Sequence, residues 1–304
     1  MIALALVIAV SVALGAGAHW RWDERAEALT RRLLDGLLYV VLPFITFFVL
    51  VRAKLDAGAG IGIALAYVEF AIVGGLAWLA ATRMLRLGPR AAGTVVIATI
   101  MANTAYLGLP MIAALLGSGE LGPAITFDAL VSGPMFFVFA FAIAAAFATR
   151  DEPLRDRVRV FFTRNPPLFA VVAALVAPDV LAPDMLVDVA HAAVLGLAPV
   201  GFFVLGVQLA VEARGGALSF PPKISAPVAV VLGLRLAVAP LLLLGLSALT
   251  VDVPDAYLVQ AAMPVGINTL VVAHAYDLDL PLAASAIAWS TTIAIAAGLV
   301  ASAL

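Results

Sequence analysis

The 304-residue chain contains no cysteine. This excludes disulfides, thiolate metal sites and cysteine nucleophiles. Charge is scarce as well: 12% of the residues are Asp, Glu, Lys or Arg, against about 25% in an average soluble chain. No HExxH pair, P-loop or GxSxG occurs, so metalloprotease, ATP-driven and serine-hydrolase chemistry find no support. The chain is therefore not expected to be an enzyme, and neither a cofactor, a metal nor a nucleic-acid partner is implied. No basic residue precedes the first apolar run, MIALALVIAVSVALGAG, whereas a cleavable signal peptide carries positive charge ahead of its apolar core. The basic residues (Arg21, Arg25, Arg31, Arg32) come after it, which predicts an uncleaved first span with its N-terminus outside.

What the chain has in abundance is apolar length. Hydrophobic residues make up 64% and the mean hydropathy is +1.14. A membrane-spanning helix takes about 20 mostly apolar residues, and ten such runs are present: Met1–Gly17, Leu33–Val51, Gly58–Thr82, Ala91–Gly117, Leu121–Ala148, Pro166–Leu181, Met185–Val211, Ala226–Thr250, Ala256–Tyr276 and Pro281–Leu304. The fold class expected is an all-α integral membrane protein with ten transmembrane helices. Lys and Arg give the orientation. The loop after the first span and every second loop beyond it hold fourteen: Arg21, Arg25, Arg31 and Arg32; Arg83, Arg86 and Arg90; Arg150, Arg155, Arg157, Arg159 and Arg164; Arg214 and Lys223. The alternate loops hold Arg52 and Lys54 alone. The positive-inside rule then predicts a multi-pass protein of the cytoplasmic membrane with both termini extracytoplasmic.

The longest polar stretch, 149–165, divides the chain into two units, 1–148 and 166–304, and reads as a cytoplasmic linker, part of it a helix lying on the membrane surface. Five is odd, so homologous five-span units must cross the membrane in opposite senses, an inverted five-plus-five repeat. The fourth and ninth spans are the two whose apolar runs are interrupted. ATIMANTAYLGLPMIAALL (Ala98–Leu116) carries Asn103, Tyr106, Gly108 and Pro110; QAAMPVGINTLVVAHAY (Gln260–Tyr276) carries Pro264, Gly266 and Asn268. Proline removes a backbone donor and crowds the carbonyl four residues back, so the fourth span is expected to break near Gly108–Pro110. Pro264 suits the first turn of a half-helix, where its missing N–H is no loss. Broken helices in lipid are tolerated only where protein or a wet cavity surrounds them. Such segments in corresponding positions of two halves point to a transporter's binding site. Asn103 and Asn268 each lie twelve residues into their span, roughly 18 Å and near the midplane.

Three ionisable residues lie deep in spans. Glu69 and Arg235 occupy comparable depths and pair with each other, or Arg235 anchors a substrate carboxylate bidentately. Asp128 reads either as a carboxylate coupled to a proton or sodium ion, a role for which Glu69 is the other candidate, or as a packing residue reaching the outer water.

ANTAYLGLP (Ala102–Pro110) and MPVGIN (Met263–Asn268) resemble the fourth- and ninth-span motifs of the auxin efflux carrier family, which includes plant auxin exporters and bacterial malonate and malate carriers. The resemblance implies a scaffold of spans 1, 2, 6 and 7, often forming a homodimer, and a mobile transport domain of spans 3–5 and 8–10. In that domain the fourth and ninth spans would cross at Pro110 and Pro264, and Asn103 would contact substrate. The linker here is short beside that of the plant exporters, so their loop-based regulation does not carry over. The function expected is secondary transport of a small organic anion, a mono- or dicarboxylate of malonate, malate or auxin type, by alternating access. The alternatives are a sodium-coupled symporter of the bile-acid carrier type and a non-transporting sensor or channel.

Overall fold

The computed structural model describes residues 1–52, 57–147, 166–214 and 222–303. The predicted linker at 149–165, with its surface helix and its five arginines, lies outside the described residues. Among the described residues the chain is almost entirely helical and contains no strand. The helices are α1 (Ile2–Trp22), α2 (Glu24–Arg52), α3 (Gly58–Met84), α4 (Pro89–Ile100), α5 (Thr104–Leu115), α6 (Ser118–Phe147), α7 (Pro166–Val176), α8 (Asp184–Arg214), α9 (Ala226–Leu249), α10 (Asp255–Ala261), α11 (Asn268–Ala275) and α12 (Leu280–Ala301).

Seven of these (α1, α2, α3, α6, α8, α9 and α12) are long and apolar enough to cross a membrane. The other three predicted runs take a different form. The fourth is split into α4 and α5, and the ninth into α10 and α11. The sixth contains the eleven-residue α7, ended by Pro178 and a single 3₁₀ turn at Asp179–Leu181. Its eleven described residues rise about 16 Å; the residues just before Pro166 lie outside the described ones. Conversely, α1 and α2 run past the predicted limits, through Trp22 and from Glu24.

Two groups of helices pack around each other. In the first, α1 lies along α8 and α7 lies against α2, which also touches α8. Glycine makes the α1–α8 approach possible: a Cβ on Gly15 would collide with the Phe203 carbonyl, and one on Gly206 with that of Val12. Small residues that let two backbones meet are the usual means of helix association in lipid, where apolar burial alone gives no preference for a neighbouring helix. Arg214 fastens one end of this pair by an ion pair to Asp23 at 3.0 Å and by lying over the Trp20 ring. The second group contains α3–α6 and α9–α12: α4 packs against α3, α6, α9 and α12, while α10 packs against α6 and α9, and α11 against α12. The groups meet where α8 touches α5 and α2 touches α6. At this seam the ring of Tyr106 sits against Gly201, whose missing side chain leaves it room.

Candidate functional site at the helix crossing

The helix is interrupted between α4 and α5 at Met101–Asn103, and between α10 and α11 at Met263–Gly266, which is flanked by turns at Ala262 and Ile267. The two interruptions cross and pair as an antiparallel bridge between Ala102 and Val265. Asn103 N–H donates to the Pro264 carbonyl at 2.8 Å, Gly266 N–H to the Met101 carbonyl at 2.8 Å, and Val265 N–H to Ser290 Oγ of α12 at 3.1 Å. Backbone groups freed from their helices are thus satisfied by each other, as a low-dielectric setting demands. Gly266 is required by the close approach, since a Cβ there would lie 3.0 Å from the Ala102 carbonyl oxygen.

The break therefore falls at Met101–Asn103, not at Gly108–Pro110. Residues Thr104–Gly108 form one wide π turn, in which Gly108 N–H bonds the Asn103 carbonyl at 3.0 Å. Pro110 follows within the first two positions of a regular segment, where its lack of a donor costs nothing. Gly108 serves packing: a Cβ there would strike Oε1 of Gln260, a fully buried side chain whose Nε2 donates to the Ala124 carbonyl at 3.2 Å. Pro264 lies at the crossing but four residues ahead of α11, and contributes its carbonyl rather than a helix start.

Four helix ends converge here. The C-terminal ends of α4 and α10 carry partial negative charge and the N-terminal ends of α5 and α11 partial positive charge. Arg235, fully buried on a π turn of α9, deals with the first pair. Its guanidinium donates to the Thr99 carbonyl at 3.3 Å and to the Ala261 carbonyl, and lies over the Phe70 ring at 5.7 Å. Glu69 is equally buried, and neither of its oxygens has a hydrogen-bond partner among the described residues. It interacts with Arg235 electrostatically through space, but no ion pair within 4.0 Å joins the two among the described residues. The structure thus uses the Arg235 donors on helix carbonyls, and neither Arg235 nor Glu69 lines the cavity at the crossing.

The N-terminal ends of α5 and α11 border a cavity of about 220 Å³. Of the residues singled out from sequence, Asn103, Tyr106, Asp128, Gly266 and Asn268 line it; Gly108, Pro110, Pro264, Arg235 and Glu69 do not. Asn103 is buried, and its Nδ2 has no hydrogen-bond partner among the described residues. Asp128, on a π turn of α6, accepts a 2.5 Å hydrogen bond from Thr104 Oγ1 at the start of α5. The first N–H groups of α5 and α11 have no partner within their own helices. Apolar walls come from α2 (Leu34, Leu38, Leu42), α6 (Met135, Phe136, Phe137) and α11 (Val271), with exposed Asp35 at the rim. Gln260 and the α2 residues carry no sequence signal of their own; they belong to the site only because the fold brings them there. A second, wider cavity involves Val49 and Arg52 at the other end of α2, together with His191 and the 252–255 turn.

Residues 163–301 match the family model described as Membrane transport protein. That model is the one for the auxin efflux carrier family, and the match covers a little under half of the chain. The matched stretch of the carrier domain runs from α7 to the end of α12 and contains the MPVGIN crossing segment; the ANTAYLGLP segment lies outside it. The family is one of membrane transporters rather than enzymes, and its domain together with seven long apolar helices makes the chain a multi-pass membrane protein. No curated protein matches the chain.

Proposed function

We propose that this protein is a secondary carrier of a small carboxylate-bearing solute, working by alternating access through ten spans arranged as an inverted five-plus-five repeat. The observation that carries the reading is the crossing itself: two interrupted helices pair back to back and leave two half-helix N-termini, Asn103 and Asn268 on one small cavity. Half-helix N-termini and amide donors suit a carboxylate, because their dipoles and N–H groups are fixed before it arrives. A cavity of about 220 Å³ is below the roughly 300–1,000 Å³ of drug-sized sites, which favours a metabolite-sized solute. In this reading α1, α2, α7 and α8 are the scaffold, through which a homodimer would form, and α3–α6 with α9–α12 move against it. The Tyr106–Gly201 contact would be part of the sliding seam. The site cavity reaches Leu34 and Asp35, and the second cavity reaches Arg52, seventeen residues further along α2, or about 26 Å. By the charge asymmetry of the loops the first end is cytoplasmic, so the conformation is inward-facing.

Arg235 bears on the choice of coupling ion. In carriers with broken helices, half-helix C-termini are where sodium is bound; here a guanidinium already lies against both of them. This favours transport without sodium over the sodium-symport alternative. The test is uptake of labelled mono- and dicarboxylates, amino-substituted ones included, into proteoliposomes, in sodium and in choline media. Saturable uptake with counterflow, equal in both media, is expected. Uptake that requires sodium would overturn the sodium-free reading, and absence of uptake or counterflow for every solute would overturn the carrier reading.

A further inference from the structure

The cavity at the crossing has two unlike poles. One is the unpaired Nδ2 of Asn103, a donor, beside the partially positive N-terminal ends of α5 and α11; in α11 the Thr269 and Leu270 N–H groups bond the Gly266 and Ile267 carbonyls at 3.0 and 3.1 Å. The other is Asp128, an acceptor, whose hydrogen bond in the structure comes from the neutral Thr104 hydroxyl at 2.5 Å. Among the described residues no Lys, Arg or His lines this cavity, and no basic side chain pairs with Asp128. Asp35 at the rim adds to the negative side. Asp128 is half-buried and faces the cavity. A carboxylate within a span is costly unless water or a partner meets it, so a cationic group on the solute would be favoured there and a purely anionic solute repelled.

We propose that the solute is a zwitterion of α-amino acid type with an apolar side chain. Its carboxylate would sit on the half-helix N-termini and Asn103, and its ammonium on Asp128. This rests on the carboxylate-carrier reading and narrows it. Thr104 joins the poles: its backbone belongs to the N-terminal turn of α5 while its hydroxyl touches Asp128. The two charges of the solute must therefore lie close together, as they do when both are borne by one carbon. Leu38, Leu42, Met135, Phe136 and Val271 supply the apolar wall for the side chain.

The experiment is calorimetric binding to the purified full chain of L-leucine, of 4-methylpentanoate, which lacks the ammonium, and of 3-methylbutylamine, which lacks the carboxylate. Leucine is expected to bind at least tenfold more tightly than either analogue. Asp128→Asn is expected to weaken leucine at least tenfold and to leave 4-methylpentanoate unchanged or strengthened. Binding of 4-methylpentanoate as tight as that of leucine would overturn the zwitterion and place a proton on Asp128 instead, while leaving the carboxylate carrier standing. Binding of the amine alone, or of none of the three, would overturn the zwitterion, and the carboxylate carrier would then stand or fall on the uptake test. If Asp128→Asn does not fold, the affinity ratios of the unaltered chain still decide.

Discussion

Replacing Arg235 by Met removes the guanidinium that donates to the C-terminal ends of both α4 and α10. The change keeps an apolar side chain of comparable length, so the loss is electrostatic rather than volumetric. Two hydrogen bonds from the guanidinium to the Thr99 and Ala261 carbonyls disappear. Hydrogen bonds to charged groups contribute about 1.5–3 kcal/mol each. Glu69, whose oxygens have no hydrogen-bond partner among the described residues, loses a nearby cation at the same time. That loss costs less than breaking a contacting ion pair, about 3–5 kcal/mol. These contributions overlap because one guanidinium makes all of them, so a total of about 4–6 kcal/mol is expected. Glu69→Gln alone should cost much less, because it leaves both carbonyl contacts intact. The double variant should recover the Glu69 share but not the carbonyl share, giving a coupling of about 1–3 kcal/mol. Reversible SDS unfolding in mixed micelles measures all four states of this cycle. A loss below about 1 kcal/mol for Arg235→Met, or strict additivity in the double variant, would refute this account of the crossing.

Three further outcomes are expected. Asn103→Ala should weaken binding of the transported solute roughly ten- to a hundredfold, since a charge-assisted amide bond contributes about 1.5–3 kcal/mol, while unfolding shifts little; unchanged affinity with reduced stability would make the residue structural glue. Gly206→Ala should destabilise the α1–α8 pair by about 1–3 kcal/mol, because its Cβ meets the Val12 backbone and not a movable side chain; wild-type unfolding would show that the helices separate without cost. A cysteine at exposed Arg31 (Arg31→Cys), the only thiol in the chain, should react with an impermeant maleimide only after the cells are opened, and labelling of intact cells would reverse the topology.

Much of the architecture is legible in residue order because its causes are local. Twenty apolar residues must be helical in lipid whatever surrounds them, so the long helices fall near the predicted runs. The interruptions are local too, since proline and glycine weaken a helix wherever they stand. Where an interruption becomes a break is another matter. Pro110 has the stronger local signal, yet its helix continues, because the π turn at Thr104–Gly108 places it where no donor is needed. The chain opens at Met101–Asn103 because Pro264 and Gly266, from the other half, offer the backbone partners that make opening affordable.

The same division holds for the polar residues. Sequence alone determined that Glu69, Asp128 and Arg235 need partners, because an ionised group deep in a span is costly anywhere in the bilayer. It also determined that Asn103 and Asn268 stand at similar depth. Only the tertiary structure decided that Arg235 faces helix carbonyls rather than the cavity, and that Asp128 shares the cavity with both asparagines. Depth follows from counting residues along one helix. Facing depends on the rotation of each helix about its axis, and that is fixed by neighbours remote in the chain, such as Gly201 beneath Tyr106 and Gly15 against Phe203.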